Sequence, residues 1–194
     1  MSEPALVENR TFAEIQLGDT ASFERIITRR DIELYAAVTG DANPTHLDEE
    51  FAKASQLKGV VAHGMLTAGL ISNLLGNRLP GAGTIYVAQD LKFAAPVHAN
   101  DRITVTVTAR EKLPEGRLVR FDCRCVNQAG ATVLTGTATG AAPAENAWNP
   151  APARSRSSAS AISERPALPA PRNSTLRTRP VRPGASGRAR PRAA

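Results

Sequence analysis

Asp41 and His46 stand five residues apart in the segment from Thr39 to Asp48, and both side chains can exchange protons. The residue before a proline avoids the α region, so Asn43-Pro44 is expected to end the preceding helix and to open a turn. Such a turn can bring the carboxylate and the imidazole to one water molecule. Because one group accepts a proton while the other donates one, the pair suits addition or removal of water. In the alternative interpretation these are ordinary turn residues beside a surface histidine.

A second polar centre lies at His63-Gly64-Met65, where a long apolar stretch begins. The first N–H groups of a helix have no partner inside it and lie at its positive end. The Gly64 N–H is therefore a candidate donor to an oxyanion, and glycine allows a substrate carbonyl to come close. The alternative is a glycine kept at the start of a buried helix for packing.

The elements around these centres can be predicted from periodicity. Residues 64–75 are apolar on nearly every helical face, which predicts a buried helix that Gly76 would end. Upstream, we expect a strand through Phe23–Ile27, a helix from Ile32 to Val38 capped by Thr28 and Asp31, and a helical turn within 49–57 that buries Phe51 and Ala52.

Four segments after the apolar helix have the alternation typical of strands, namely 84–93, 102–110, 118–127 and 131–139. Pro114-Glu115-Gly116 and Gln128-Ala129-Gly130 are typical of hairpin turns. Together these elements predict an α+β domain in which an antiparallel sheet wraps around a central apolar helix.

Several motifs together carry a family resemblance: Tyr35 through Asp48 with its Gly-Asp-x-Asn-Pro-x-His pattern, Val60 through Leu66, Leu79 through Tyr86, and Leu91 through Val97. Over roughly residues 11–143 the chain resembles the MaoC-like (R)-specific enoyl-CoA hydratases, which have the hotdog fold. This part also resembles the hydratase-like N-terminal part of bifunctional enoyl-CoA hydratase/phosphate acetyltransferase proteins.

The resemblance implies a role for each matching residue. Asp41 and His46 would activate the water that adds to the double bond, and Asn43 would orient this pair or the thioester. Gly64 would donate its backbone N–H to the thioester oxygen, while Ser72 and Met65 would lie near the acyl group. His63 is either a structural histidine or a substrate contact.

Charge and composition divide the chain near residue 143. Residues 1–143 hold 14 basic and 16 acidic side chains, whereas residues 144–194 hold 10 Arg and 2 Glu, which makes the tail strongly basic. Its Ala, Pro, Arg and Ser content predicts disorder. It is either a basic arm that contacts nucleic acid nonspecifically or an out-of-frame translation of GC-rich coding sequence without an evolved role.

No apolar leader or membrane-length run is evident, so we expect a cytoplasmic protein without a membrane partner. Cys123 and Cys125 share one face of a predicted strand, which does not suit a disulfide and indicates reduced core thiols. The three histidines match no zinc-binding spacing. The resemblance further implies a homodimer or higher homo-oligomer, no metal or redox cofactor, and an acyl-CoA substrate.

The expected reaction is the reversible hydration of a trans-2-enoyl-CoA to an (R)-3-hydroxyacyl-CoA, in fatty acid metabolism or polyhydroxyalkanoate precursor supply. Two alternatives remain open. One is a hotdog acyl-CoA thioesterase, and the other is a noncatalytic hotdog module that associates with a phosphate acyltransferase.

Overall fold

The computed structural model of this chain describes residues 9–145. The elements in chain order are β1 (Thr20–Ile26), α1 (Arg29–Thr39), α2 (Pro44–Leu47), α3 (Glu49–Ala54), α4 (Gly64–Asn77), β2 (Ile85–Phe93), β3 (Arg102–Leu113), β4 (Leu118–Val126) and β5 (Thr132–Ala141). The predicted domain boundary at residue 143 stays a prediction, and residues 146–194 of the predicted tail lie outside the described part.

All five strands form one antiparallel sheet in the order β1-β3-β4-β5-β2. Alternate residues of β3 and β4 face inward and are buried, among them Ile103, Val105, Phe121 and Cys125. This is the alternation expected of a sheet with one covered face. The predicted strands and both hairpin turns are therefore confirmed, with ends that differ by a few residues.

Helix α4 packs against the inner face of the sheet and contacts β1, β2, β3 and β5. Its buried side chains, including Leu70, Ile71, Leu74 and Leu75, belong to the same hydrophobic core as the inward residues of the strands. The predicted sheet around a central helix is confirmed, and this arrangement is the hotdog fold.

Two details of the α4 prediction are wrong. The helix is buried on one side only, because Met65 is 48% exposed and Gly69, Ser72 and Asn73 are also exposed within the single chain. The helix also continues past Gly76 to Asn77 and is capped at Arg78. Without positive φ, Gly76 does not provide the left-handed turn that ends many helices.

Helices α1 and α2 flank the loop that carries Asp41, and α2 carries His46. The predicted cap at Thr28 is confirmed as a reciprocal capping box with Asp31, so α1 begins earlier than expected, at Arg29. It ends at Thr39 because Gly40 takes a left-handed conformation with φ 77°. Pro44 therefore does not end α1 but stands first in the short helix α2.

Two further predictions concern side-chain burial. Ala52 of α3 is fully buried as expected, but Phe51 is 50% exposed, so the predicted inward position of Phe51 is wrong. Cys123 and Cys125 are free and buried. Their interpretation as core thiols is confirmed, because adjacent inward positions of one strand point the same way without bringing the two sulfur atoms into a bond.

Candidate active site

Asp41 and His46 lie together near the N-terminal end of α4. Each offers one ligand-type atom, and these atoms lie within 4.8 Å of each other and of a ring nitrogen of His63. Two hydrogen bonds of about 2.8 Å from one water span a distance of this size. The geometry thus places the carboxylate and the imidazole within reach of a single water molecule.

The loop that carries Asp41 is held by local hydrogen bonds. The Asn43 side chain accepts a hydrogen bond from the Thr45 N–H at 3.2 Å and so caps α2. The Asn43 N–H in turn donates to Asp41 Oδ1 at 3.3 Å. Asn43 therefore contacts the carboxylate through its backbone, while its side chain stabilises the start of α2.

The imidazole of His46 has a defined orientation. Its Nδ1 lies 2.8 Å from the carbonyl oxygen of Val61, and because a carbonyl only accepts, Nδ1 carries the hydrogen. In the neutral ring Nε2 is then the acceptor. In that form of His46, Nε2 can take a proton from a water molecule.

His63 is the most buried polar side chain of the site, with 3% exposure. Its Nε2 lies 3.0 Å from the Asp41 carbonyl oxygen and 3.9 Å from Asp41 Oδ2. The His63 ring stacks on His46 with a centroid distance of 3.8 Å and contacts the Tyr35 ring at 4.8 Å. Sequence reasoning left the role of this residue open, because a histidine before a helix is not by itself diagnostic.

Gly64 begins α4, and within residues 9–145 its N–H has no hydrogen-bond acceptor. The Phe93 ring lies directly beside it, since a Cβ built on Gly64 would stand 3.1 to 3.3 Å from three ring atoms. Glycine therefore leaves room for the Phe93 ring beside an unpaired donor. An unpaired donor at the start of a helix stabilises charge developing on a carbonyl oxygen.

Two cavities meet at Gly64. The smaller, of about 170 Å³, is lined by Asp41, His46, His63, Gly64 and Met65, together with Tyr35 and Thr39. The larger, of about 340 Å³, is mainly apolar and lies between Phe93, Val97 and Leu57. A polar reaction centre thus adjoins an apolar space.

The structure does not bring every predicted residue to the cavities. Ser72 is exposed on α4 and lines neither of them, and the Asn43 side chain points into its own cap. Tyr35 and Thr39, which line the smaller cavity, were missed. Their i, i+4 spacing on α1, directly before Asp41, puts them on one helical face and was the available signal.

A metal ion is a poor fit to this cluster, although Asp41, His46 and His63 offer the ligand types that metals use. His46 Nδ1 is already engaged with the Val61 carbonyl and His63 Nε2 with the Asp41 carbonyl, while the remaining His63 nitrogen, Nδ1, is buried. The absence of a metal or redox cofactor from the reaction stays a prediction.

Comparison with known proteins identifies the family. The chain matches the MaoC like domain over residues 13–120 and belongs to that family. It is 46% identical over 133 residues to the "(R)-specific enoyl-CoA hydratase" of Rhodospirillum rubrum, which covers 69% of this chain and 92% of that protein.

Solved structures of R-hydratases are similar to this chain in both sequence and fold. The unliganded R-hydratase PhaJ1 from Pseudomonas aeruginosa has a TM-score of 0.68 and 45% identity, over 72% of this chain and 89% of that one. The (R)-hydratase from A. caviae, described as involved in PHA biosynthesis, has a TM-score of 0.65 and 34% identity. The match covers 66% of this chain and 98% of that one. Among the described residues, none of the helices is both long and apolar enough to span a bilayer.

Proposed function

We propose that this chain is an (R)-specific enoyl-CoA hydratase that converts a trans-2-enoyl-CoA and water into an (R)-3-hydroxyacyl-CoA. The observation that carries the proposal is the placement of Asp41 and His46 within reach of one water, beside the unpaired Gly64 N–H. The similarity to proteins named (R)-specific enoyl-CoA hydratases supports the same reaction.

In the proposed mechanism, the Asp41/His46 pair removes one proton from water as the oxygen attacks the β-carbon of the enoyl group. The pair then returns that proton to the α-carbon, so it ends each turnover in its starting state. The orientation of His46 supports this role, because its Nδ1–H is occupied by Val61 and Nε2 is left as the acceptor.

Addition at the β-carbon moves negative charge onto the thioester oxygen. The Gly64 N–H at the start of α4 would stabilise this charge, and loss of such a donor typically costs about 10² to 10³ in rate. The larger apolar cavity beyond Gly64 offers space for an apolar part of the substrate. Met65, half exposed at the cavity rim, would contact the same substrate.

A hydration assay with crotonyl-CoA tests the proposal, because loss of the conjugated double bond is followed directly by absorbance. Asp41→Asn and His46→Ala should each lower kcat by roughly 10² to 10⁴-fold, since each removes a proton-transfer group. Asp48→Asn is the matched control, because its side chain caps α3 outside the cavity and Asn preserves the cap.

The product distinguishes the competing reactions. An (R)-3-hydroxyacyl-CoA, identified with a stereospecific dehydrogenase, supports the proposal. Release of free coenzyme A would instead indicate a thioesterase, and an (S)-product or no turnover would refute (R)-hydration. Equal activity of the wild type and both site variants would refute the assigned residues.

We further propose that two chains pair as a homodimer in the cytoplasm and supply or consume 3-hydroxyacyl-CoA in fatty acid or polyhydroxyalkanoate metabolism. Exposed apolar side chains on the edge strand β2 support the pairing, among them Ile85 and Val87. The described relation of the A. caviae enzyme to PHA biosynthesis supports the pathway. Ser72, exposed on α4, would then face the partner chain.

A further inference from the structure

His63 contacts all the segments that form the reaction centre. It stands at the N-cap of α4, its Nε2 lies 3.0 Å from the Asp41 carbonyl oxygen, and its ring is packed between Tyr35 of α1 and His46 of α2. Its own exposure is only 3%. One buried ring therefore touches both members of the catalytic pair.

The hydrogen bonds define the tautomer of His63. A carbonyl oxygen has no hydrogen to donate, so Nε2 carries the hydrogen and donates it to Asp41. The other nitrogen, Nδ1, is buried and has no partner among the described residues. His63 lines the smaller cavity, but its Nε2 is engaged with the loop and its Nδ1 is buried, so we assign neither nitrogen to the substrate.

Asp41 needs such an anchor. Its side chain is 53% exposed, and it lies in the loop between the left-handed Gly40 and the start of α2. Asp41 also makes short-range hydrogen bonds with Thr39, at the end of α1, and with Asn43, in the same loop. Within residues 9–145, the bond from His63, the N-cap of α4, ties Asp41 to the start of that helix and hence to Gly64.

We propose that His63 is a positioning residue that holds the Asp41 loop by its Nε2–H and the His46 ring by stacking. The inference rests on the proposed function and assigns His63 no contact with the substrate, which is one of the two roles that the sequence left open. Misplacement of reacting groups by about 1 Å can cost roughly 10²-fold in rate, so a residue that never touches the substrate can control kcat.

Two variants separate the hydrogen bond from the volume of the ring. His63→Gln places an amide N–H near the position of Nε2 and keeps a donor to Asp41, whereas His63→Phe keeps an aromatic ring and loses the donor. We expect His63→Phe to lower kcat by roughly 10²-fold with KM changed less than about twofold. His63→Gln should recover most of this loss.

Equal losses in the two variants would overturn the proposal, as would an increased KM at unchanged kcat, because the latter indicates a substrate contact. A second test combines His63→Phe with His46→Ala. If His63 acts through the pair, its replacement costs far less when His46 is already absent. Fully additive losses would contradict the proposed role.

Nitrogen-15 NMR of the wild-type histidines tests the geometry without any assay. We expect His63 as the Nε2–H tautomer and His46 as the Nδ1–H tautomer, and any other assignment of His63 overturns the inference even if His63→Phe does not fold. If the wild type does not hydrate crotonyl-CoA, the proposed function fails, while the tautomers and the hydrogen exchange of the Asp41 loop still test the anchoring.

Discussion

At the scale of single residues, the site depends on groups that the surrounding structure leaves unpaired. Among the described residues the Gly64 N–H lacks an acceptor because it begins a helix, and His46 Nε2 is available because Val61 occupies Nδ1. Nearby, Phe93 limits the space over Gly64. The chemistry therefore requires glycine at position 64 for access rather than for backbone conformation, since its φ is not positive.

Gly64→Ala should impair catalysis more than stability. The new Cβ would lie 3.1 to 3.3 Å from Phe93 ring atoms, and Phe93 is 49% exposed, so the ring can move aside into the substrate space. We expect the free energy of unfolding to change by about 1 kcal/mol or less and kcat/KM to fall by up to about 10²-fold.

Gly76→Ala is the matched control for that substitution, because an added Cβ there has no heavy atom within 4 Å and the residue lies in the same helix. Its kcat/KM should equal that of the wild type, and helix propensity should make it slightly more stable. Wild-type activity in Gly64→Ala would contradict the role of the close approach.

The two core thiols should be unreactive in the native protein. Burial raises the pKa of Cys125 to about 12, and burial with the neighbouring Cys125 and Asp122 raises the pKa of Cys123 to about 12. Both sulfurs are therefore protonated at neutral pH, and the thiolate is the reactive form. A disulfide reagent should modify both only after unfolding in denaturant, and rapid reaction of the folded protein would contradict this.

At the scale of elements, α1 is the support from which the Asp41 loop departs. Burial alone would raise the pKa of Asp31, but hydrogen bonds from the Thr28 side chain and backbone and the Arg25 guanidinium outweigh it, so the pKa lies below the ordinary 3.8. The ionised carboxylate is thus favoured in the folded state. The ionised carboxylate stabilises the start of α1 at pH values above 3.8, the ordinary pKa of an aspartate. This contribution is lost as the pH falls through the lowered pKa of the folded state.

Thr28→Ala should lower the free energy of unfolding at pH 7 by about 1 kcal/mol, because it removes the hydroxyl that accepts from the Asp31 N–H. Thr28→Ser keeps that hydroxyl and is the control. Asp31→Asn should be destabilised at pH 7, and its difference from the wild type should shrink below pH 3.8. Urea unfolding between pH 7 and pH 3 measures both effects. If the stability difference between Asp31→Asn and the wild type does not change with pH, the proposed role of the ionised Asp31 carboxylate is wrong.

The elements also show what could be predicted from the sequence. Strands β3 and β4 were predictable because Ile103, Val105, Phe121 and Cys123 alternate with polar residues, and the capping box at Thr28 is a local signal. Residue type and spacing made Asp41 and His46 candidates, and the family motif Gly-Asp-x-Asn-Pro-x-His gave them the proposed role. The role of His63 was not, because its contacts with Tyr35 and Asp41 depend on how α1 packs against α4.

At the scale of the whole molecule, the main departure from expectation is the exposed side of α4. The sequence periodicity predicts that Met65 and Gly69 lie on an apolar face of the helix. It does not distinguish burial within one chain from burial against a second chain. The edge strand β2 adds Ile85, which is 67% exposed, and Val87, which is 53% exposed. A single chain thus leaves apolar surface on α4 and β2, where a second copy would cover it.

Charges on β2 should therefore prevent dimer formation without unfolding the chain. We expect Ile85→Glu combined with Val87→Glu to reduce the mass measured by light scattering from that of two chains to that of one. Both side chains are exposed in the single chain, and in the proposed dimer they would be desolvated against the second chain. The far-UV circular dichroism should be unchanged. Ile26→Glu is the matched control, since it puts a charge at an equally apolar, 50% exposed position on the opposite edge strand β1. A monomeric wild type, or a monomer produced by Ile26→Glu instead, would show that β2 is not the contact.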